Sequence, residues 1–168
     1  MINSTSSDWY ILYTLSKHEK KVKKKLERSN VESFLPLQMV YKQWSDRKKK
    51  VEVPLFPNYV FVKLDQKHLY KTLSIPGVLK YLSNGNGPEK IGDHEIRFIR
   101  NIDKETIQVS SGIRASGDRV KFVSGPFSGI QGVLLHQSSK NKIAVTIEQL
   151  NRTITIETGF HELEKVSA

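Results

Sequence analysis

Lysine dominates a segment near the N-terminus, and its chemistry is that of a phosphate-binding surface. Residues 17–28 read KHEKKVKKKLER, with seven cationic and two acidic side chains and a net charge of +5. Lysine pairs with phosphate as a point charge, and a bound phosphate backbone would relieve the repulsion among so many like charges. On a helix, the outward surface carries the candidate nucleic-acid contacts Lys17, His18, Lys20, Lys21, Lys24 and Arg28. A solvated helix face is the alternative interpretation.

Further candidates for nucleic-acid contact lie outside this helix. The tip of a predicted hairpin carries four consecutive cationic side chains, namely Arg47, Lys48, Lys49 and Lys50. His68 and Tyr70 follow later in the chain and have rings that can bond to or stack on an unpaired base. Residues 1–105 hold 20 Lys and Arg against 12 Asp and Glu, whereas residues 106–168 hold 7 against 5. The basic surface therefore belongs to the N-terminal part, and a polyanion is its natural partner.

Catalysis, metal binding and membrane insertion find little support in the sequence. It has no cysteine, and its five histidines are too scattered for metal-ligand spacing. It shows no glycine-rich phosphate loop, no nucleophile elbow and no carboxylate pair in an apolar setting. No apolar run reaches the length of a membrane span, and the N-terminal MINSTSSD is polar. We expect a cytoplasmic, monomeric protein that is not an enzyme and uses no cofactor or metal.

A proline-bounded aromatic strand is the second candidate for contact with another macromolecule. Residues 53–64 read VPLFPNYVFVKL, and two prolines that cannot donate to a sheet confine the regular strand to Tyr59 onward. Alternation of side chains then gives one aliphatic face formed by Val60, Val62 and Leu64. Phe56 and Tyr59 lie at the bend, where aromatic rings often serve as docking anchors. Burial of both faces of the strand is the alternative.

A strand and a helix are predicted to position the lysines. The apolar run 9–15 predicts a central strand. Ser16 and Glu19 form an S-x-x-E capping box for the helix that follows, and Asn30 is suited to the left-handed conformation that ends it. Val22 and Leu26 lie one turn apart and should face the core.

The remaining N-terminal elements complete an α/β sandwich with a mainly antiparallel sheet. Strands are predicted over 31–37 and 78–82, and a hairpin with arms over 39–44 and 51–53. Asp65 should cap a short helix that buries Leu69 and Leu73. Asp93 should cap another, whose inward stripe is Ile96, Ile99 and Ile102. We expect this domain to span 8–105, after a flexible tail over 1–7.

The C-terminal part differs in composition from the N-terminal part, and its pattern predicts an all-β barrel. Residues 106–116 are serine-rich and read as a linker, and short β-branched segments separated by turn residues occupy 117–168. Because β-branched residues lose rotamer freedom in a helix, and Gly125 and Gly129 would interrupt one, we expect strands here. The predicted core consists of Val120, Phe122, Val133, Val145, Ile147 and Ile154.

These segments resemble the NusG family of transcription elongation factors. FPNYVFVKL, with the earlier WYILYTLSKHEKKVKKKLE, is similar to the family's NGN domain, and GDRVKFVSGPFSGIQGVL is similar to its KOW motif. The resemblance implies an NGN-like α/β sandwich followed by an SH3-like KOW barrel, an α+β protein as a whole. FPNY in place of FPGY, preceded by KQWSDRKKKVEVPLF, is closer to the specialised paralogues RfaH and the UpxY antiterminators.

The resemblance also implies partners and site residues. The NGN domain would bind RNA polymerase at the clamp helices of its largest subunit, close to the non-template DNA strand. The matching polymerase-binding residues are Trp9, Tyr13, Phe56, Pro57, Tyr59, Val78 and Tyr81. Phe127 and Ile130 match the KOW loop that meets ribosomal protein S10 or the termination factor Rho. The alternative is an RNA-binding or ribosome-associated KOW protein.

Overall fold

The computed structural model describes residues 7–102, 107–111, 117–135, 142–157 and 163–166. The chain divides into two compact units, Met1–Gly92 and Asp93–Ala168. In chain order the first unit contains β1 (Asp8–Thr14), α1 (Glu19–Arg28), β2 (Glu32–Phe34), β3 (Leu37–Gln43), β4 (Lys48–Pro54), β5 (Tyr59–Leu64), a 3₁₀ turn (Gln66–His68), α2 (Leu69–Leu73), β6 (Val78–Tyr81) and β7 (Lys90–Ile91). The predicted N-terminal tail lies, except for Ser7, outside the described residues.

The first unit is built on an antiparallel sheet with the order β2-β5-β1-β6, and β7 also pairs with β1. Strand β5 begins at Tyr59 as predicted, and its aliphatic face is buried. That face packs with Tyr10 and Leu12 of β1 and with Val22 and Leu26 of α1 in one hydrophobic core. The aliphatic face of β5 and the inward apolar residues of α1 thus pack together, as the sequence predicts.

Helix α1 ends as predicted but begins differently. Asn30 adopts φ +55°, and the N–H groups of Asn30 and Val31 donate to the carbonyls of Glu27 and Leu26, which closes the helix. The predicted capping box is wrong, because Lys17 adopts φ +62° and the helix starts only at Glu19. Its N-cap is His18, which makes no side-chain capping bond.

Strands β3 and β4 form a separate two-stranded ribbon. Their register runs one to one from Leu37 opposite Pro54 to Gln43 opposite Lys48. The loop at the tip is therefore 44–47, and Lys48–Lys50 lie on a strand instead of in the loop where the sequence placed them. Cross-strand hydrogen bonds hold these lysines in place, which the local charge run cannot reveal.

The helical segment between β5 and β6 is capped by Asp65 as predicted, but only one of its two predicted core leucines is buried. Asp65 Oδ1 accepts a hydrogen bond from the N–H of Lys67 at 2.8 Å and so opens the 3₁₀ turn. Leu69 is buried, whereas Leu73 is 45% exposed and does not join the core as expected. Thr72, one residue before Leu73, is buried with Leu69, so these two residues form the inward side of α2.

The second unit contains α3 (Asp93–Asn101), β8 (Gln108–Ser111), β9 (Asp118–Phe122), β10 (Gln131–Leu135), β11 (Lys142–Ile147), a 3₁₀ turn (Glu148–Leu150), β12 (Arg152–Glu157) and β13 (Leu163–Lys165). The sheet is antiparallel with the order β13-β9-β10-β11-β12-β8. The predicted linker over 106–116 thus contains a strand, because β8 pairs with β12. Helix α3 groups with this unit instead of the first.

Burial in the second unit follows the predicted pattern closely. Of the predicted core residues, all are buried except Val133, which is half-buried. Ile143 and Ile156 are further core residues from β11 and β12. The stripe of α3 is buried as predicted, with Phe98 added to it. Closure of the sheet into an SH3-like barrel stays a prediction.

Candidate protein and nucleic-acid interfaces

The bend before β5 is fixed by Asn58. This residue adopts φ +73°, a left-handed conformation that only glycine, asparagine and aspartate accept readily. Its N–H donates to Glu19 Oε1 at 2.8 Å, and its side-chain Nδ2 donates to the carbonyl of Thr14 at 3.1 Å. Glu19 is buried, so this carboxylate serves the bend instead of capping α1. The bend therefore holds the start of β5 against the end of β1.

An apolar patch lies at this end of the sheet, and we name it the strand-end patch. Tyr13 and Tyr59 are cross-strand neighbours with ring centroids 5.5 Å apart, and both are half-buried. Pro57 is exposed at the bend, and Leu15 is exposed just beyond β1. Leu79 is exposed where the register of β6 shifts against β1. The strand-end patch is thus Tyr13, Leu15, Pro57, Tyr59 and Leu79, of which the sequence did not single out the two leucines.

The other residues proposed from the resemblance lie elsewhere. Phe56 is 1% exposed and packs edge-to-face on Phe61, with centroids 6.2 Å apart, so it supports the bend from inside. Trp9 is buried four residues along β1 from Tyr13, a separation of about 13 Å. Val78 packs against the hydrophobic core. Phe56 and Trp9 are therefore buried, contrary to their expected place on a docking surface, whereas Val78 is half-buried.

Tyr81 also lies in the core, on the side of the sheet opposite Tyr13. Its hydroxyl donates to the carbonyl of Leu69 at 3.2 Å and pairs with the hydroxyl of Thr72. Burial raises the pKa of Tyr81 to about 12, against the smaller lowering effect of the Thr72 hydrogen bond. The phenol is therefore neutral at physiological pH and ties α2 to β6.

The lysines of α1 form an exposed surface beside the β3–β4 ribbon. We name as the basic helix face the exposed residues Lys17, Lys20, Lys21, Lys24 and Arg28. Lys20 Nζ donates to the carbonyl of Glu52 at 3.1 Å and lies 3.6 Å from its carboxylate. This contact joins the helix to β4. His18 is half-buried, and its Nδ1 lies 3.0 Å from the carbonyl of Ser16.

The ribbon carries aromatic rings among its lysines, and these rings are additional to the residues predicted from the sequence. Tyr41 is 73% exposed and Trp44 is 53% exposed. Lys50 Nζ lies 5.9 Å from the Tyr41 ring centroid, and Lys49 Nζ lies 5.6 Å from that of Trp44. In the sequence, two aromatic residues interleaved with cations near a hairpin tip form a pattern that is typical of nucleic-acid contact, and this pattern could have identified Tyr41 and Trp44.

His68 and Tyr70 are exposed but lie apart from the ribbon. His68 lines a cavity with Ser29 and Asn30, at the C-terminal end of α1. The ribbon contact is at Lys20, near the N-terminal end, and the ten-residue helix spans about 15 Å. The structure therefore joins the ribbon to the basic helix face through Glu52, and it leaves His68 at the far end of α1.

In the second unit, the predicted partner loop points inward. Phe127 is half-buried between Phe98 of α3 and Phe122 of β9, with centroid distances of 5.4 and 5.5 Å. Ile130 is 4% exposed. Both side chains therefore pack within the unit, which is the alternative to an exposed contact. Of the two, only Phe127 keeps an accessible edge.

Metal-binding and membrane-spanning features are absent from the part of the chain that the structure describes. These residues include no group of three or more histidine, aspartate or glutamate side chains placed to hold a metal ion. Within the same ranges, no helix is long and apolar enough to cross a membrane.

The fold and its surfaces define a class: an α+β protein whose exposed apolar and basic surfaces suit macromolecular partners. The family described as "Transcription termination factor nusG" matches residues 7–100. The transcription termination/antitermination protein NusG of Staphylococcus aureus strain Mu50 is 30% identical over 177 aligned positions, covering 94% of this chain and 95% of the relative. The NusG of Staphylococcus epidermidis matches with the same identity and coverage. This chain belongs to the NusG family.

Structural comparison agrees with this assignment. A solved structure of Thermotoga maritima NusG is similar with a TM-score of 0.57 and 29% sequence identity, and the match covers 96% of this chain and 98% of that one. The mixed α/β architecture with mostly antiparallel sheets is shared with that protein.

Proposed function

We propose that this protein is a transcription elongation or antitermination factor that binds RNA polymerase through the strand-end patch and suppresses pausing or termination. The observation that carries the proposal is the patch itself. Its five apolar side chains are exposed or half-buried at one end of the sheet, and exposed apolar groups gathered in one place are typical of a protein-binding surface. The bonds of Asn58 hold the bend in place before any partner binds. Such preorganisation lowers the entropic cost of docking.

The target on polymerase is the pair of clamp helices of the largest subunit, as the NusG resemblance implies. Tyr59 is the anchor, because its ring and that of Tyr13 are packed together yet remain accessible. Phe56 supports the anchor from the core. The basic helix face contacts the phosphates of the non-template DNA strand, since lysine supplies affinity without reading bases.

The second unit recruits a further factor, either ribosomal protein S10 or Rho. Because Ile130 is buried and Phe127 is enclosed by two rings, the contact uses the exposed edge of the 125–129 loop. The specialised role of an RfaH- or UpxY-like antiterminator remains part of this proposal, and its support is the FPNY sequence at the bend. The protein acts in the cytoplasm as a monomer, without cofactors.

The test is retention of the protein on purified RNA polymerase with and without nuclease. We expect Tyr59→Ala to weaken binding by about 2 kcal/mol, or roughly 30-fold, because truncating an anchor removes its packed area. Tyr59→Phe keeps the ring and should bind almost normally. Tyr70→Ala is the matched control, since Tyr70 is also exposed (66%) but lies on α2.

Two outcomes would contradict the proposal. Equal binding by Tyr59→Ala and the parent would remove Tyr59 from the interface. Loss of binding to polymerase after nuclease treatment would favour the alternative RNA-binding protein.

A further inference from the structure

The two faces of the β3–β4 ribbon carry different side chains. Residues opposite each other in an antiparallel ladder share a face, so Tyr41 lies with Lys50, and Gln43 lies with Lys48. We name these four residues the Tyr41 face. Lys42 and Lys49 lie on the other face, where Lys49 approaches the ring of Trp44. The ribbon therefore presents one aromatic residue and neighbouring cations on each side.

The Tyr41 face has the composition of a base-stacking site. The ring of Tyr41 is mostly in solvent and is bordered by the surface cavity of 450 Å³ that it lines with Gln43 and Lys48. Because the ring is 73% exposed, a planar base can approach it from solvent. The ammonium of Lys50 lies over one face of the ring, 5.9 Å from its centroid, so the opposite face is the one offered to a stacked base.

The Tyr41 face is also continuous with the basic helix face. Glu52 has the same parity on β4 as Lys50, so the two side chains point to the same side, about 7 Å apart along the strand. Lys20 of α1 bonds to the carbonyl of Glu52. Lys50 and Lys48 are therefore the ribbon lysines on the side where Lys20 meets the ribbon, and the Glu52 carboxylate, paired with Lys20, lies between them and the helix. The Trp44 face has no such contact with α1 among the interactions found in the described residues.

We propose that the Tyr41 face stacks one unpaired base of the DNA strand whose phosphates the basic helix face holds. This inference rests on the DNA contact in the proposed function and adds a stacking residue that the lysines do not supply. Every base has a π-face, so the stacked position tolerates any sequence. Lys48 and Lys50 pair with the adjoining phosphates. The charge on the ribbon, with five cationic and two acidic residues over 37–54, favours the same ligand.

The test measures binding of the full-length chain, without polymerase, to fluorescent single-stranded oligo(dT) and to an abasic oligomer of equal length. The abasic strand keeps the phosphates and lacks the bases. We expect Tyr41→Ala to weaken oligo(dT) binding on the order of tenfold and to leave abasic binding unchanged. Tyr41→Phe should restore oligo(dT) binding. Trp44→Ala is the matched control on the opposite face and should bind as the parent does.

Three results would overturn the inference: equal affinity of the parent for both strands, equal losses in Tyr41→Ala and Trp44→Ala, or tighter binding of oligo(rU) than of oligo(dT). The last would assign the face to RNA. Retention of Tyr41→Ala on nuclease-treated polymerase separates this inference from the proposed function. Normal retention is expected, and a loss there would make the Tyr41 face a protein contact while leaving the strand-end patch intact.

Discussion

Replacement of Asn58 tests whether the bend before β5 depends on a left-handed backbone and a side-chain hydrogen bond. Two variants separate these contributions. Asn58→Gly removes the bond from Nδ2 to the carbonyl of Thr14 but tolerates φ +73°. Asn58→Ala removes the same bond and also places a methyl group in a conformation that L-residues avoid.

The expected magnitudes follow from these contacts. Thr14 is fully buried, and removing a hydrogen bond to its carbonyl costs about 1 kcal/mol, a typical net value for one such bond. The left-handed conformation costs alanine about 1 kcal/mol more. We therefore expect the free energy of unfolding to fall by about 1 kcal/mol in Asn58→Gly and by about 2 kcal/mol in Asn58→Ala.

Tryptophan fluorescence during urea unfolding measures these changes in the first unit alone. The chain has two tryptophans, Trp9 and Trp44, and both belong to Met1–Gly92. The midpoint should shift without a change in slope, because the variants expose the same surface on unfolding. Asn86→Ala, in the exposed loop before β7, should unfold as the parent does.

Equal losses of stability in the glycine and alanine variants would refute the role of the positive φ angle. Unchanged stability in both would show that the N–H bond from Asn58 to Glu19 is sufficient to hold the bend. Either result would remove the physical reason we give for asparagine at this position.

Three further expectations follow from burial and charge. Phe56→Ala should lower the free energy of unfolding by about 3–5 kcal/mol in the same fluorescence assay, and a small change would mean that Phe56 is not a core residue. Replacing Lys21 and Lys24 by glutamine should make the slope of log binding constant against log salt concentration for single-stranded DNA shallower by about 0.7 for each phosphate that the helix no longer neutralises. An unchanged slope would mean that these lysines are solvated and do not contact the DNA. Because burial raises the pKa of Tyr81 from 10.0 to about 12, its contribution to stability is present below pH 10 and is lost as the pH rises toward 12. Tyr81→Phe should not show this loss, which we expect to be on the order of 1–2 kcal/mol after solvent screening; parallel pH profiles would argue against it.

Local sequence patterns correctly predicted those features that depend on a residue and its near neighbours. The alternation of Val60, Val62 and Leu64 defined a core face, and Asn30 marked the end of α1 through its own conformational preference. The buried face of β5 and the end of α1 both follow from short stretches of sequence. The two prolines likewise predicted that regular structure starts at Tyr59, where β5 begins.

The features that the sequence did not predict depend on partners far along the chain. Glu19 bonds to Asn58, 39 residues away, and this contact outweighs the local capping box. Strand β8 has a weak apolar pattern and is defined by its pairing with β12. Phe56 is at a bend where aromatic side chains are often exposed, and only its packing on Phe61 decides that it is buried.

The one-to-one register of the β3–β4 ribbon has a consequence for how related chains can diverge. All residues over 41–50 are exposed, so the distal half of the ribbon contributes nothing to the hydrophobic core. Inserting one residue in each arm would lengthen the ribbon by about 3.3 Å and turn the tip residues to the opposite side, and a second such insertion would restore their side at about 7 Å. The ribbon can therefore change its reach in discrete steps while the strand-end patch stays as it is. On the proposed function, related chains would contact a nucleic acid at different distances from the same polymerase-binding patch.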